Sequence, residues 1–405
     1  MIEQELNNGF NQGQLKKIRT SLPTMLRYPI WKVRKLLRQF NSSDGHHLIL
    51  VVANHFEPAW KKNGGSWDLV TQERRVKEWR RKSISIGQAI QDSDGTPFRH
   101  TNFYPAEQYH KSLLEQLAEL QAEGIGEIEI HLHHGVEQPD TADNLRRTLV
   151  EFRDVLAERH NLLSRMLGKD TPVYAFTHGN FALGNMDGGQ CCGVDEEMQI
   201  LADTGCYLDL TLPTIPYVSQ VPRINAIYQC GRPLHERLPH RSGADLSVGN
   251  LLKLPVLMTG PLVLDWRYRQ RGIPFPRIDN GVLAGNYPLD LDRIRNWRRA
   301  GISIRGRAEW VFIKLFCHGF FEQDQDAVIG ETIRRSLGEV MEHSVRTGEF
   351  KIHFASAREA FNIALAAVDG HSGDPHQYRN YKLHTIMQSK VASTPETERP
   401  IKAAA

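Results

Sequence analysis

Five separated stretches place histidine, acid or amide side chains directly after apolar runs. They are Asn54-His55-Phe56-Glu57-Pro58, His131-Leu132-His133-His134-Gly135, Thr177-His178-Gly179-Asn180, Asp209-Leu210-Thr211 and Cys317-His318-Gly319. If the apolar runs are parallel strands of a barrel, these groups gather at its C-terminal mouth, where barrel active sites lie. His131 and His133 are two residues apart, so on a strand both point to one face. Together with Glu57 from another strand end they form an open ligand set for zinc or a related divalent ion, with room left for water. His134 can replace His133 in this set, and His55 can join it; spacing alone does not choose. An ordinary hydrogen-bonded polar loop is the competing reading of an H-x-H-H run. The strand-end position and the available carboxylate favour the metal.

The elements that must position these residues follow from periodicity. Short runs rich in Val, Ile, Phe and Leu predict strands at 47–54, 98–104, 127–133, 172–177, 206–212, 255–264, 310–317 and 350–355. Helical patterns over 71–91, 106–123, 141–160, 194–204, 290–300, 326–346 and 357–367 separate most of them, with Leu113, Leu114, Leu117 and Leu120 at helical spacing in one. Strand–helix alternation predicts an α/β fold with a largely parallel sheet, and seven or eight such units favour an irregular (β/α) barrel over an open sheet. No GxGxxG follows the first strand, which argues against dinucleotide binding. The chain divides into a basic N-terminal extension (1–44), a β/α domain (45–370) and a C-terminal extension (371–405) that is expected to be partly disordered. Residues 213–288, rich in Pro and Gly with no clear helix, read as an irregular insertion shaping a cleft.

Composition narrows the partners. A formal net charge of +3 gives no field that calls for nucleic acid. The five cysteines form no CxxC pair, and the opening residues lack an apolar h-region, so reduced thiols and a cytoplasmic compartment are expected. No apolar run is long enough to span a bilayer. Segment 22–40 mixes apolar residues with Arg27, Lys32, Arg34, Lys35 and Arg38, so peripheral membrane contact is open, but a helix packed on the outside of the domain is the simpler expectation.

The order of the segments resembles the polysaccharide deacetylase family of the glycoside hydrolase/deacetylase superfamily. The stretches that carry the resemblance are VVANHFEP (51–58), EIEIHLHHG (127–135), FTHGNFALGN (176–185), EEMQILADTGCYLDLTLP (196–213) and FIKLFCHG (312–319), over roughly residues 47–360. The resemblance implies a metal-dependent hydrolase, with zinc as the expected ion, that removes acetyl groups from an amino sugar or polysaccharide precursor by cleaving the amide C–N bond. It puts Glu57 and His131 among the metal ligands, His318 as general acid and Asp209 as the acid that orients its neighbours. Asn54 stands where the family has its base aspartate, and an amide cannot take a proton; His55 is the candidate replacement. His178 and Asn180 stand in the family's third motif in place of its Arg and Pro and are candidate substrate contacts, as are Tyr104 and Trp266 among the aromatics. Two alternatives share the resemblance: a glycoside hydrolase using Glu57 and Asp209, and a catalytically silent carbohydrate-binding protein of a polysaccharide assembly system.

Overall fold

A computed structural model describes residues 26, 28, 29, 31 and 46–387, apart from 218, 268, 271, 272, 275 and 276. The strands that matter for the site are β1 (His46–His55), β2 (His100–Pro105), β3 (Gly126–Leu132), β4 (Pro172–His178), β5 (Cys206–Asp209), β6 (Ile227–Cys230), β7 (Gly243–Asp245), β8 (Val256–Met258), β9 (Trp310–His318) and β10 (Phe350–Phe354). The main helices are α1 (Leu69–Ala89), α2 (Lys111–Ala122), α3 (Ala142–Asp154), α4 (Glu197–Thr204), α5 (Leu291–Ala300), α6 (Glu331–Thr347) and α7 (Ala357–Val368). The expected strands and helices are thus largely present, with ends moved by a few residues, but the strand expected at 255–264 breaks into β8 and Val263–Asp265, which pairs with Arg277–Asp279 in a separate sheet.

The strands join one sheet in the order β9-β1-β2-β3-β4-β5-β8-β6-β7, with β10 also paired to β1. All pairings from β9 to β8 are parallel; β6 pairs antiparallel to both β8 and β7, and the short strand Ser164–Arg165 pairs antiparallel to β4. β1 is central, and its run Leu48–Ala53 is apolar on both faces because helices or opposing side chains cover both. Its register with β9 sets His55 beside His318.

The expectation of a barrel is met only as far as this parallel sheet. Among the described residues no ladder joins β8 to β9. The irregular segment Gly281–Leu283 lies along β9 instead: Phe316 donates its N–H to the Gly281 carbonyl at 3.1 Å, and Leu283 donates to the Phe316 carbonyl at 2.9 Å.

The insertion 213–288 is less irregular than its composition suggests. It supplies β6, β7 and β8, and β8 extends the parallel sheet from β5. A buried ion pair fixes its far end. Both Asp279 oxygens accept from Arg293 of α5 at 2.9 Å, and Trp297 donates its Nε1–H to the same carboxylate at 2.9 Å. Described N-terminal residues Tyr28 and Trp31 pack against Ile215, Ile224 and Leu262 of this region. Apart from Leu26, Tyr28, Pro29 and Trp31, residues 1–45 lie outside the described residues, as does the tail beyond Met387.

Described residues beyond 370 pack back onto the domain. Residues 375–387 are strapped to α7, whose every residue is buried. Asn362 donates to the Arg379 and Leu383 carbonyls and accepts from the Lys382 and Leu383 N–H groups, using its whole amide. Arg379 bridges to Asp92 at 3.0 Å and Glu359 at 3.3 Å. The polar side chains here satisfy buried backbone groups. No helix among the described residues is long and apolar enough to cross a membrane.

Candidate metal and catalytic site

β1, β3 and β9 deliver their C-terminal residues to one place. The His55 ring lies 4.6 Å, centroid to centroid, from both His131 and His318. Glu57, two residues beyond His55, puts Oε1 3.5 Å from His131 Nε2 and 3.2 Å from His133 Nε2. The sequence-derived set of Glu57, His131 and His133 therefore converges, with His55 and His318 beside it.

The tautomers follow from the partners. His131 Nδ1 is 2.6 Å from the Thr177 carbonyl, which can only accept, so Nδ1 carries the proton. Its Nε2 lone pair is then turned towards Glu57, and this buried atom has no hydrogen-bond partner. His133 Nδ1 lies 2.6 Å from Glu107 Oε1, and its backbone N–H donates to Glu107 Oε2. A carbonyl or carboxylate behind each imidazole is the usual support of a metal-ligating histidine. Ligand atoms of His55, Glu57 and His131 lie within 4.8 Å of one another, and His133 adds a second backed imidazole 3.2 Å from Glu57, a set that fits a divalent ion such as zinc.

Electrostatics match this arrangement. Burial pushes the Glu57 carboxyl up, but the imidazoles of His131, His133 and His318 around it outweigh this and hold the group well below the usual range. Burial, with His318 and His131 adding to it, holds His55 well below the ordinary histidine value. His318 is lowered too, chiefly by burial, with Glu57 opposing. It stacks on Phe321 at 4.6 Å. On the other side Phe181 lies 6.0 Å from His55 and stacks on half-exposed Tyr217 at 5.1 Å, giving the site an aromatic flank.

Other expected site residues go elsewhere. Asn54 points away from the histidines: it donates to Asn102 Oδ1 at 3.0 Å and accepts the Gly319 N–H at 2.8 Å, tying β1 to β2 and to the turn after β9. Neighbouring strand residues face opposite ways, so His55 rather than Asn54 faces the site. His134 does not share Glu57 with His133. It turns to the other side and meets His178, Nε2 to Nε2, at 3.0 Å. His178 is fully buried there and cannot touch a substrate. Tyr104 is also fully buried, packed on Phe56 and Phe152 with its hydroxyl donating to the Gln108 carbonyl, so it is core. Asn180 is exposed, and its φ of 51° is left-handed. Trp266 is exposed, with no ring contact to the histidines among the described residues.

Asp209 is buried on β5, accepting from the Thr211 N–H at 3.1 Å and hydroxyl at 2.9 Å; Thr211 Oγ1 in turn accepts the His178 N–H. Burial lifts Asp209 to about 7, against those Thr211 bonds. Its electrostatic partner is Lys314, a buried lysine that desolvation lowers to about 7 while Asp209 opposes. Lys314 is hidden in the apolar run of β9 and nothing in the sequence marks it. Cys192 and Glu197, which stand with His134 and His178, were equally unmarked.

The chain matches no protein-family model, no curated protein and no solved structure.

Proposed function

We propose that the protein is a metal-dependent hydrolase that removes an acyl group, acetyl foremost, from an amino sugar or polysaccharide precursor. The convergence of Glu57, His131 and His133 beside His55 and His318 carries this reading. The likeness in motif order to polysaccharide deacetylases adds the substrate class. The Phe181–Tyr217 flank suits the apolar face of a sugar ring. The finer fold reading, an irregular (β/α) barrel of seven or eight strands, belongs to the same proposal, with Gly281–Leu283 standing in for a closing strand beside β9.

Glu57, His131 and His133 would hold the ion, zinc by its donor set, which when bound polarises an acyl carbonyl and acidifies water. Burial keeps His55 neutral, so its ring can take the proton of the attacking water. A C–O bond forms at the acyl carbon as the C–N bond breaks. His318, whose ring lies 4.6 Å from His55 and stacks on Phe321, passes the proton that His55 took on to the leaving nitrogen. Asn54 takes no part, because its amide is spent on Asn102 and Gly319. Asp209 acts as a positioning residue through Thr211, which holds the backbone at the end of β4.

The test is acetate release from N- and O-acetylated sugars by protein purified without chelators. His131→Ala should lose both metal and activity. His318→Ala should lower turnover ~100-fold or more with metal content unchanged, the size of a lost acid–base group. No acetate from the wild type on any substrate, with zinc, cobalt or nickel supplied, overturns the proposal and leaves a carbohydrate-binding protein or a glycoside hydrolase.

A further inference from the structure

Next to the Glu57 site, but facing the other way, lies a second group of donors that the proposed reaction does not use. His134 follows β3, His178 ends β4, Cys192 lies in the loop after β4, and Glu197 opens α4. Their relative exposures are 6%, 0%, 0% and 0%, so solvent does not reach them. All four ligand atoms lie within 4.8 Å of one another.

The protons are placed by the partners. His134 Nδ1 is 3.0 Å from Asp140 Oδ2, and His178 Nδ1 bonds to the Gly179 carbonyl. Both acceptors demand the proton on Nδ1, which leaves a lone pair on each Nε2. Yet the two Nε2 atoms face each other at 3.0 Å. Glu197 Oε1 lies 3.2 Å from one and 3.4 Å from the other. Glu197 Oε2 is held by the Gly184 N–H at 2.5 Å, while buried Oε1 has no hydrogen-bond donor at all. Three lone-pair atoms converging in a dry pocket repel one another unless a cation sits among them. Cys192 Sγ completes the group, 3.6 Å from Glu197 Oε2.

The separations are those of a small coordination sphere. Zinc–nitrogen bonds of about 2.0–2.1 Å at tetrahedral angles put neighbouring ligand atoms roughly 3.3–3.4 Å apart, and a thiolate somewhat farther. We propose that His134, His178, Cys192 and Glu197 bind one zinc ion in a closed, structural site, distinct from the Glu57 site. A sulfur donor disfavours magnesium and calcium, and four protein donors leave no position for a substrate. Cys192 binds as thiolate and releases its proton on metal uptake.

The surrounding loop is built for such a clasp. Cys191 donates its N–H to the Gly135 carbonyl at 2.9 Å, and Asp140 donates to the Cys192 carbonyl at 2.8 Å. Asn180, Phe181, Asn185 and Cys191 all have positive φ, a density of left-handed non-glycine residues that persists only where the surroundings over-determine the backbone. Phe181 is in this loop, so the ion would also fix the aromatic flank of the cleft.

The experiment is metal analysis and cobalt spectroscopy on the full chain. Zinc content should be about two per chain in the wild type and about one in either His131→Ala or Cys192→Ser, a separation that only two sites produce. The cobalt-loaded wild type and His131→Ala should both show the near-ultraviolet thiolate-to-cobalt band, and Cys192→Ser should lack it. Should Cys192→Ser not fold, the wild type and His131→Ala decide alone. A cobalt-loaded His131→Ala protein without a thiolate band overturns the proposal and leaves a proton shared between the two imidazoles with Glu197 as counter-ion. The band is independent of acetate release, so loss of the hydrolase reading leaves this site standing and the reverse also holds.

Discussion

Glu107 accepts the Nδ1–H of His133 at 2.6 Å, and His133 thereby turns its Nε2 to Glu57 at 3.2 Å. The carboxylate makes the imidazole a stronger donor and fixes its ring. Glu107→Gln should lower zinc affinity by about 10–100-fold, the usual effect of losing such a supporting group. Competition against a chromophoric chelator measures it. Unchanged affinity with an unchanged circular dichroism spectrum would detach His133 from the ligand set.

Arg293 is fully buried, and Asp279 depends on it for two hydrogen bonds at 2.9 Å. Arg293→Met leaves that carboxylate buried with only the Trp297 and Gly281 N–H groups and the Tyr287 hydroxyl. A cost of about 3–5 kcal/mol is expected in denaturant unfolding. Arg293→Lys should rescue little, because one ammonium cannot also reach the Tyr287, Pro288 and Val282 carbonyls that the guanidinium bonds. A loss below about 1 kcal/mol for the Met variant would contradict the anchoring role of this pair.

Burial lifts Glu129 to about 8, with the Tyr207 hydroxyl and the Ala175 N–H opposing. The folded carboxyl keeps its proton where the unfolded one, near 4.5, has lost it. Its contribution is fully present below the unfolded value and is lost as pH rises from about 4.5 to about 8, by on the order of a few kcal/mol. Glu129→Gln removes the titration and can keep both bonds, with Tyr207 then accepting from the amide. Urea midpoints at about pH 5 and about pH 8 should differ less in the variant than in the wild type; an equal difference would remove Glu129 from the pH dependence.

Gly135 has a φ of +62°, and a Cβ there would land on the Cys192 carbonyl. Gly135→Ala should cost roughly 2 kcal/mol or more, since strain and a backbone clash add. It should also loosen the 189–193 loop, so that Cys192 reacts with a thiol reagent in the folded protein. A variant with wild-type melting temperature and an unreactive Cys192 would show that the loop can shift freely.

The sequence by itself determined the local elements and most of the first cluster. Apolar runs with period two and helical spacing of leucines are local signals, and the strands and helices came out close to their expected bounds. The H-x-H spacing put His131 and His133 on one side of the chain, and an acid at a parallel strand end supplied Glu57. Tertiary structure decided the rest. Whether Asn54 or His55 faces the site depends on the register and pleat of β1 against β9, and a one-residue change reverses the side chains. His134 was separated from His133 because the turn after β3 sends consecutive side chains to different neighbours, Glu57 for one and His178 for the other. Cys192 and Glu197 had no visible connection to them, since their meeting with His134 depends on a loop closing over Gly135. Lys314 looked like one more strand residue, and only the packing of β5 against it sets its charge near that of Asp209. Contacts between residues far apart in the chain have no local period, so they became visible only when the sheet brought its strand ends together.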